Sequence, residues 1–326
     1  MRIHSIKGNN TLVTGGAGFI GSTLVRELLK KKANVIVYDN FLYGDVSHLI
    51  EIKDQIQIIH GDILSWKIYD AIKEYDIKYL FHLAAEPYIP HCYDNPEKFI
   101  DVNTKGTMNI LLACKTLGVE RIVCFSSSEV YGTAQKTPMD EEHPTLPLST
   151  YAVSKLAADR LCFVFYHEHK IPVVVLRPFN TYGPRETQPY VIPEIISQLN
   201  IGDSVKLGNI KAKRDFTYVE DTAKGAIAVM ESDIPNGEVV NLGSNKTVSI
   251  EELAYLIGKL MGYDEIKINI ETSRLRPLDV TLLQCDHSKL QRYTGWQPEI
   301  GIEEGLKCTI KWYIENGHRW NWEKLL

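Results

Sequence analysis

The sequence lacks the features that mark membrane-spanning and nucleic-acid-binding proteins. Its apolar runs, such as residues 173–176, have the length of a strand and fall far short of the ~20 residues of a membrane-spanning helix. Lys and Arg number 36 against 41 Asp and Glu, so the formal charge is −5 and the chain has no broad basic surface for DNA or RNA. We therefore expect no membrane contact and no nucleic-acid partner.

Cysteine is scarce, and its spacing is unlike that of a metal or disulfide framework. The six cysteines form no Cys-x-x-Cys pair, and several stand within apolar segments. This pattern predicts reduced, buried thiols and no metal site. Residues 1–7 lack the long apolar stretch of a signal peptide, so we expect a cytoplasmic protein.

The remaining composition is that of a globular protein. Of 326 residues, 44% are hydrophobic and 24% are charged, enough for one large domain or two of unequal size. Residues 1–180 alternate helical patterns with short runs of β-branched and aromatic residues, which indicate strands buried on both faces of a parallel sheet. We predict an α/β fold, a Rossmann-type doubly wound parallel sheet. The predicted strands are residues 11–13, 35–38, 57–60, 79–82, 121–125 and 173–176.

The pattern changes after residue 180, where prolines interrupt it and shorter helical and extended pieces follow. We predict a smaller C-terminal α/β lobe that binds the substrate. The predicted domains are residues 1–180 and 181–326, and part of 215–245 is allowed to return to the first domain.

A glycine-rich turn, Thr14-Gly15-Gly16-Ala17-Gly18-Phe19-Ile20-Gly21, separates the first predicted strand from the first helix. Glycine permits a tight turn and a close approach of the main chain to a pyrophosphate, while the helix N-terminus favours an anion. A glycine turn alone is also an ordinary structural device. Asp39, however, ends the second strand 18 residues after Gly21. A carboxylate there accepts hydrogen bonds from a ribose diol and repels a 2′-phosphate, which predicts NAD rather than NADP.

Tyr151 and Lys155 stand four residues apart on one face of a predicted helix. A free phenol has a pKa of ~10 and is a weak base at neutral pH, but a nearby ammonium lowers that pKa. Ser127 follows the predicted strand 121–125, at the edge of the sheet where such folds bind ligands. A surface Tyr–Lys pair and a serine-rich turn are the structural alternatives for each feature taken singly.

In combination, these features resemble one enzyme family. The glycine turn, Asp39, His82-Leu83-Ala84-Ala85, Ser127, Tyr151 and Lys155 are similar to the extended short-chain dehydrogenase/reductases. The nucleotide-sugar epimerase/dehydratase branch is indicated by Pro178-Phe179-Asn180-Thr181-Tyr182-Gly183-Pro184 and Arg214-Asp215-Phe216-Thr217. The resemblance implies NAD as cofactor, a nucleotide-diphosphate sugar as substrate and a homodimer paired through the helices near 97–116 and 151–167.

The resemblance also implies roles for individual residues. Tyr151 is expected to take the proton of the sugar's 4-hydroxyl, Ser127 to share its hydrogen bonds and Lys155 to tune its pKa. Ser128 and Glu129 complete the expected catalytic set. The residues implied to bind the cofactor are Gly15, Gly18, Phe19, Ile20, Gly21, Asp39, Asn40, Asp62, Ile63, Leu83, Ala84, Ala85, Tyr151, Lys155 and Pro178. Those implied to bind the substrate are Glu86, Asn180, Val191, Arg214 and Arg276.

Glu129 bears on which reaction is expected. Ser127-Ser128-Glu129 resembles the 4,6-dehydratases, where a glutamate removes the proton on carbon 5 while water leaves from carbon 6. The stretch 179–198 is similar to the 4,6-dehydratases of bacterial amino-sugar pathways. Several hexose dehydratases carry an aspartate at the position of Ser128, and nucleotide-sugar decarboxylases also carry a Ser-Glu pair. We expect an NAD-dependent 4,6-dehydratase, with a 4-epimerase as the alternative and a decarboxylase or 4-keto reductase less favoured. The intact pair Tyr151 and Lys155 disfavours a dinucleotide-sensing protein without catalysis.

Overall fold

The structure of the protein is a computed structural model that describes residues 4–316. The strands are β1 (Asn10–Thr14), β2 (Asn34–Asp39), β3 (Ile56–His60), β4 (Tyr79–His82), β5 (Arg121–Phe125), β6 (Val173–Pro178), β7 (Asn180–Tyr182), β8 (Ser204–Leu207), β9 (Lys213–Tyr218), β10 (Val239–Leu242), β11 (Thr247–Ser249) and β12 (Lys267–Ile270). The helices are α1 (Phe19–Lys30), α2 (Lys67–Glu74), α3 (His91–Asp94), α4 (Pro96–Phe99), α5 (Thr107–Leu117), α6 (Thr150–His169), α7 (Val191–Leu199), α8 (Val219–Glu231), α9 (Ile250–Leu260), α10 (Ser288–Thr294) and α11 (Ile302–Asn316). Short 3₁₀ segments cover Val46–Gln55, Ser128–Tyr131 and Thr272–Arg274.

A seven-stranded sheet forms the centre of the first lobe. Its order is β10-β6-β5-β4-β1-β2-β3, and all neighbouring strands run parallel. The chain starts in the middle of the sheet, extends it to one edge and then crosses to the other side, which is the doubly wound arrangement. The predicted fold class is therefore confirmed, and all six predicted strands overlap strands of this sheet.

Helices cover both faces of the sheet, as the apolar strand runs predict. On β5, Val123 packs toward α1 and α8, whereas its neighbours Ile122 and Cys124 pack toward α2, α5 and α6. All three side chains are buried. Because successive strand residues point to opposite faces, a run without polar residues requires an apolar layer on each side.

A serine cap fixes the N-terminal end of α6, the helix that carries the predicted Tyr–Lys pair. Ser149 precedes α6, and its hydroxyl accepts a hydrogen bond from the Ala152 N–H at 3.1 Å.

The helix predicted near 97–116 is divided in the structure into α4, a π-helical segment Ile100–Gly106 and α5. Within that segment, Asn103 hydrogen-bonds the main chain of Glu86 and the hydroxyl of Ser154. The π-helical segment is thus attached both to the chain after β4 and to α6.

The second lobe has its own core. β7, β9 and β11 form a three-stranded sheet, and β8 pairs with β12. The helices α7, α9 and α11 pack against these strands around an apolar cluster that includes Ile195, Leu253 and Leu306. A smaller α/β lobe therefore follows the first sheet.

The chain returns to the first lobe more than once after residue 180. α8 packs against α1, and β10 extends the large sheet beside β6. α10 and Trp296 also belong to this layer, since Leu290 and Trp296 join the same apolar cluster as α8. The return therefore reaches beyond the 215–245 allowed from the sequence. The division of the chain into two domains at residue 180 remains a prediction.

The cysteines bear out part of the sequence interpretation. Cys92, Cys114, Cys124, Cys162 and Cys285 are buried as free thiols, but Cys308 on α11 is exposed. Between residues 4 and 316, no helix is long and apolar enough to cross a membrane.

Candidate active site

One cavity of about 1100 Å³ runs along the carboxyl ends of β1, β2, β4, β5 and β6 and continues between the two lobes. All the site residues predicted from the sequence line it, although they come from distant parts of the chain. They are Gly15, Gly18, Phe19, Ile20, Gly21, Asp39, Asn40, Asp62, Ile63, Leu83, Ala84, Ala85, Glu86, Ser127, Ser128, Glu129, Tyr151, Lys155, Pro178, Asn180, Val191, Arg214 and Arg276. The fold therefore brings the predicted set together, while the role of each residue stays a prediction.

The glycine turn leaves no space for side chains. Gly15 has a φ of +71°, and a Cβ on it would lie 2.8 Å from the main-chain nitrogen of Ala84. A Cβ on Gly21 would collide with the carbonyl oxygen of Gly15. Gly18 precedes α1 and has no side chain to cap the first N–H groups of the helix. The turn thus forms a narrow main-chain cradle at a helix N-terminus, which fits the pyrophosphate of a dinucleotide.

Asp39 lies beside this cradle, as predicted. Its carboxylate accepts hydrogen bonds from the N–H groups of Ala17, at 2.9 Å, and Phe41, at 2.8 Å. Burial raises the pKa of Asp39, and these two hydrogen bonds oppose that rise. Nearby, the Asn40 side chain donates to the Asp62 carboxylate at 3.0 Å. These polar groups can receive the adenosine end of NAD.

The predicted catalytic side chains share one wall of the cavity. Ser127 caps the 3₁₀ segment that follows β5, because its hydroxyl accepts a hydrogen bond from the Glu129 N–H at 3.2 Å. The same serine hydrogen-bonds the Tyr151 side chain. Glu129 is close enough for its negative charge to act on both Tyr151 and Arg214. The turn after β5 therefore holds a hydroxyl and a carboxylate next to the phenol on α6.

The surroundings of Tyr151 raise the pKa of its phenol, and tuning of this pKa by Lys155 remains a prediction. The pKa of Tyr151 is raised to about 12, mainly by burial; the hydrogen bond with Ser127 lowers this pKa, and the negative charge of Glu129 adds to the rise. The Lys155 ammonium donates to the carbonyl oxygen of Phe125, and burial lowers the pKa of this lysine. Helical spacing does place both residues at the cavity, but the lysine is directed to the end of β5.

Two buried polar atoms on the cavity wall have unsatisfied hydrogen-bonding capacity. The hydroxyl of Ser126 and the side-chain oxygen of Asn180 are buried, and neither has a hydrogen-bond partner among residues 4–316. Buried polar atoms in folded proteins are nearly always paired, so an orphaned one in a cavity marks a contact for a ligand. Their position near Lys155 and Pro178 fits the cofactor and the reacting sugar.

Charged side chains define the end of the cavity in the second lobe. Arg214 on β9 is buried and faces the Asp279 carboxylate at 3.4 Å. Burial lowers the pKa of Arg214, while Glu129 and Asp279 oppose this effect. Arg276 lies close enough to Arg214 to repel it, and Val191 begins α7 on the same wall. Two guanidinium groups at one end of a cavity suit a diphosphate.

Glu86 lies at the cavity in contact with two neighbouring side chains. It lines the cavity, but its two oxygens are bound by the Lys98 ammonium, at 2.8 Å, and the Tyr43 hydroxyl, at 2.7 Å. The sequence motif after β4 identifies the position of Glu86, whereas the two partners lie 43 and 12 residues away and share no motif with it. Contact between Glu86 and the substrate remains a prediction.

The sequence interpretation missed several residues that line the cavity. They are the aromatic residues Tyr43, Tyr88, Tyr93 and Tyr190 and the charged residues Glu186, Glu194, Arg274 and Asp279. Arg274 forms ion pairs with Glu194 and Glu271, so it connects the segment after β12 to α7. The clustering of arginines at 274 and 276 was visible in the sequence, but their partners were not.

The fold and the cavity fit one class of protein: a dinucleotide-binding enzyme with a tyrosine on the cavity wall and a cavity that continues to a second lobe. Comparison with known proteins narrows this class. Residues 12–309 match a family described as GDP-mannose 4,6 dehydratase. The chain belongs to this family of short-chain dehydrogenase/reductase enzymes that act on nucleotide sugars.

Relatives within the family carry out different reactions. A UDP-glucuronate 4-epimerase of Thermodesulfobacterium geofontis is 34% identical over 94% of this chain and 96% of its own length. A UDP-N-acetyl-alpha-D-glucosaminuronate decarboxylase of Bacillus cytotoxicus is also 34% identical, over 93% and 97%. A dTDP-glucose 4,6-dehydratase structure from Streptomyces venezuelae, with NAD bound, has a TM-score of 0.89 and 28% identity over 96% of this chain and 99% of that one. These comparisons confirm the predicted family and agree with NAD as the predicted cofactor.

Proposed function

We propose that this protein is an NAD-dependent nucleotide-sugar 4,6-dehydratase. One observation carries the proposal: the Glu129 carboxylate and the Tyr151 phenol share a cavity wall and lie within electrostatic reach of each other. An enzyme that only oxidises and reduces carbon 4 needs one proton-transferring group there. A dehydratase needs a second group, because a proton must also leave carbon 5.

Tyr151 acts in the first half of the reaction. It takes the proton of the 4-hydroxyl, and bound NAD supplies the redox chemistry, by accepting hydride from carbon 4 and returning it to carbon 6. Ser127 hydrogen-bonds the phenol and favours its deprotonated form. Tyr151 thus serves as the base, and Ser127 holds it toward the hydroxyl that reacts.

Glu129 acts in the second half. Oxidation at carbon 4 makes the proton on carbon 5 acidic, and the Glu129 carboxylate removes it. The carbon 6–oxygen bond breaks, and the leaving hydroxide is protonated to water. Ser128 stands where several hexose dehydratases have an aspartate, so Glu129 itself supplies that proton. When hydride returns to carbon 6, carbon 5 regains a proton from solvent through Glu129, and the proton that Tyr151 took from the 4-hydroxyl passes to solvent. The 4-keto product is lighter than the substrate by one water.

The second lobe supplies the substrate contacts in this proposal. Arg214 and Arg276 hold the diphosphate, since a guanidinium pairs phosphate oxygens through two parallel hydrogen bonds. The unpartnered oxygen of Asn180 accepts a hydrogen bond from the ligand. Val191, at the start of α7, adds main-chain contact at a helix N-terminus.

Product mass tests the proposal directly. The purified protein is incubated with a panel of uridine-, thymidine-, guanosine- and cytidine-linked sugars, and the products are analysed by mass spectrometry. A product lighter than its substrate by one water supports the dehydratase. A product of unchanged mass, loss of carbon dioxide, or net consumption of NADH would each contradict the dehydratase and indicate another activity of the family.

A nucleotide-sugar 4-epimerase is the second candidate. Ser128 favours it, because a serine is a poor acid for a leaving hydroxide and an epimerase needs no such acid. Substitution of Glu129 by Gln separates the candidates. It stops a dehydratase after oxidation at carbon 4, whereas it leaves an epimerase able to return hydride to the opposite face of that carbon.

We also propose that the enzyme is a cytoplasmic homodimer. The pairing surface is formed by the helical segments 96–117 and 150–169, where Ile100, Met108, Val153 and Val164 are exposed. The five buried thiols suit a reducing compartment. Light scattering over a range of concentrations should give twice the chain mass, and a monomer mass at every concentration would contradict the dimer.

A further inference from the structure

Three side chains, which we call the clasp, join the loop after β2 to the segment after β4. The clasp consists of Tyr43, Glu86 and Lys98. The Glu86 carboxylate accepts a hydrogen bond from the Tyr43 hydroxyl at 2.7 Å and pairs with the Lys98 ammonium at 2.8 Å. Lys98 also donates to the Tyr43 hydroxyl at 3.2 Å and lies 5.2 Å from the centre of its ring. Each member therefore contacts both of the others.

The acceptor at the centre of the clasp is firmly held. The Glu86 side chain is only 3% exposed, against 41% for Lys98. Its main chain is fixed as well, because Asn103 accepts from the Glu86 N–H at 2.8 Å and donates to its carbonyl oxygen at 3.2 Å. A charged acceptor shielded from water binds its donors more strongly than an exposed one does. Tyr43 is thus attached to a rigid point of the first lobe.

The order of the sheet places the clasp across the glycine turn. β2 and β4 are the two neighbours of β1, so the chain that follows each of them flanks the turn after β1. Tyr43 comes from one side and Glu86 from the other, and their hydrogen bond closes the distance between the two. Both residues line the cavity together with Gly15 and Gly18. The contact therefore joins the two segments that flank the glycine turn.

The loop that carries Tyr43 is also attached to the glycine turn. The Asp45 N–H donates to the Ala17 carbonyl at 3.1 Å. A Cβ on Gly44 would lie 2.9 Å from the Cβ of Ala17, so loop and turn are in close contact. One face of the loop rests on the turn while Tyr43 reaches across to Glu86.

We propose that the clasp retains NAD, so that the cofactor dissociates only when Tyr43 and Lys98 part from Glu86. Enzymes that return the hydride to the substrate within each turnover do not need to exchange NAD. Slow dissociation then keeps NADH bound until the hydride returns. The proposal depends on the NAD site alone. It holds equally for dehydration and for epimerisation.

Dissociation of NADH from the intact protein tests the clasp. The protein is loaded with NADH, an excess of NAD is added, and the decay of NADH fluorescence gives the dissociation rate. Tyr43→Phe removes only the hydroxyl, and Lys98→Met removes the charge while keeping the length of the side chain. Each should raise the rate about tenfold or more, as expected for loss of a hydrogen bond to a charged group. Unchanged rates in both variants would overturn the proposal.

Controls separate retention from folding. Tyr255→Phe removes the hydroxyl of an exposed tyrosine on α9 and should leave the rate unchanged. Thermal unfolding of the cofactor-free variants should match that of the parent protein, and Lys98→Arg should restore slow dissociation. The double variant should dissociate more slowly than the product of the single effects predicts, because both partners act through Glu86. Fully multiplicative effects would mean that the two residues act separately, and the clasp would not exist.

Discussion

The two ends of the cavity are built in different ways. The cofactor end is made mainly of main chain and small residues at the ends of three adjacent strands, where Gly15 and Gly21 meet other backbone atoms directly. The substrate end is made of side chains from separate segments, such as Arg214 paired with Asp279 and Arg274 paired with Glu194. The first end is therefore set by the geometry of the fold, and the second by ion pairs between side chains of separate segments.

This difference fits a family in which the reaction varies from one relative to another. A narrow main-chain cradle accepts few substitutions, because any added atom meets backbone. The following predictions test each part of this contrast.

The largest effect is expected at the junction of the two ends. Tyr151→Phe removes the proton acceptor but keeps the ring that fills the cavity wall. Turnover should fall about 10³-fold, within the usual range for a general base. Measured kcat together with thermal unfolding distinguishes this outcome from misfolding, since the unfolding temperature should match that of the parent. Turnover close to that of the parent would show that another group is the base.

Glu129→Gln, at the same place in the cavity, should allow oxidation at carbon 4 but impair the loss of water. The negative charge of Glu129 raises the pKa of Tyr151, so its removal lowers that pKa and provides deprotonated Tyr151 at lower pH. NADH formation in a single turnover, followed by absorbance, should therefore shift its pH dependence to lower pH. Loss of water should fall about 10²-fold. A shift toward higher pH, or unimpaired release of water, would contradict the assigned role.

These roles show how far the sequence could predict the site. The motifs around Gly15, Asp39 and Tyr151 combine residue type with position at a strand end or on a helix, and the structure brings all of them to one cavity. The direction of Lys155 was missed, because helical spacing gives the face of α6 but not which acceptor the ammonium reaches. The carbonyl of Phe125, which it binds, belongs to a strand 30 residues away.

Contacts between segments that are distant in the chain also limited what could be predicted from the sequence. Glu86 stands in a recognisable motif, yet its partner Tyr43 is 43 residues away and no spacing rule connects them. The return of α10 to the first lobe was likewise not foreseen, because it depends on how Leu290 and Trp296 pack against α8. Tertiary packing of this kind leaves no local periodicity to detect.

A smaller effect is expected from the cofactor end itself. Gly21→Ala places a Cβ against the carbonyl of Gly15, whereas Gly202→Ala adds one where nothing lies within 4 Å. The first should lower the free energy of unfolding by about 1–3 kcal/mol, and the second should change it by less than about 0.5 kcal/mol. Urea denaturation measures both. Equal stability of the two variants would argue against a backbone-limited cradle.

The smallest effect is expected at the substrate end. Arg214→Lys keeps the charge but loses the planar fork that pairs phosphate oxygens, so KM for the nucleotide sugar should rise about tenfold with little change in kcat. Arg292→Lys, on the exposed side of α10, is the matched control and should leave KM unaltered. A large fall in kcat for Arg214→Lys would instead place this residue in the chemical step.

The fate of the hydrogen on carbon 4 tests the central claim most directly. A nucleotide sugar that the enzyme converts is prepared with deuterium on carbon 4, and the product is examined by NMR. A 4,6-dehydratase takes this deuterium up as hydride and returns it to carbon 6, so the label should appear in the new methyl group of a product that has lost one water. Deuterium found again on carbon 4, in a product of unchanged mass, would contradict the account and identify an epimerase.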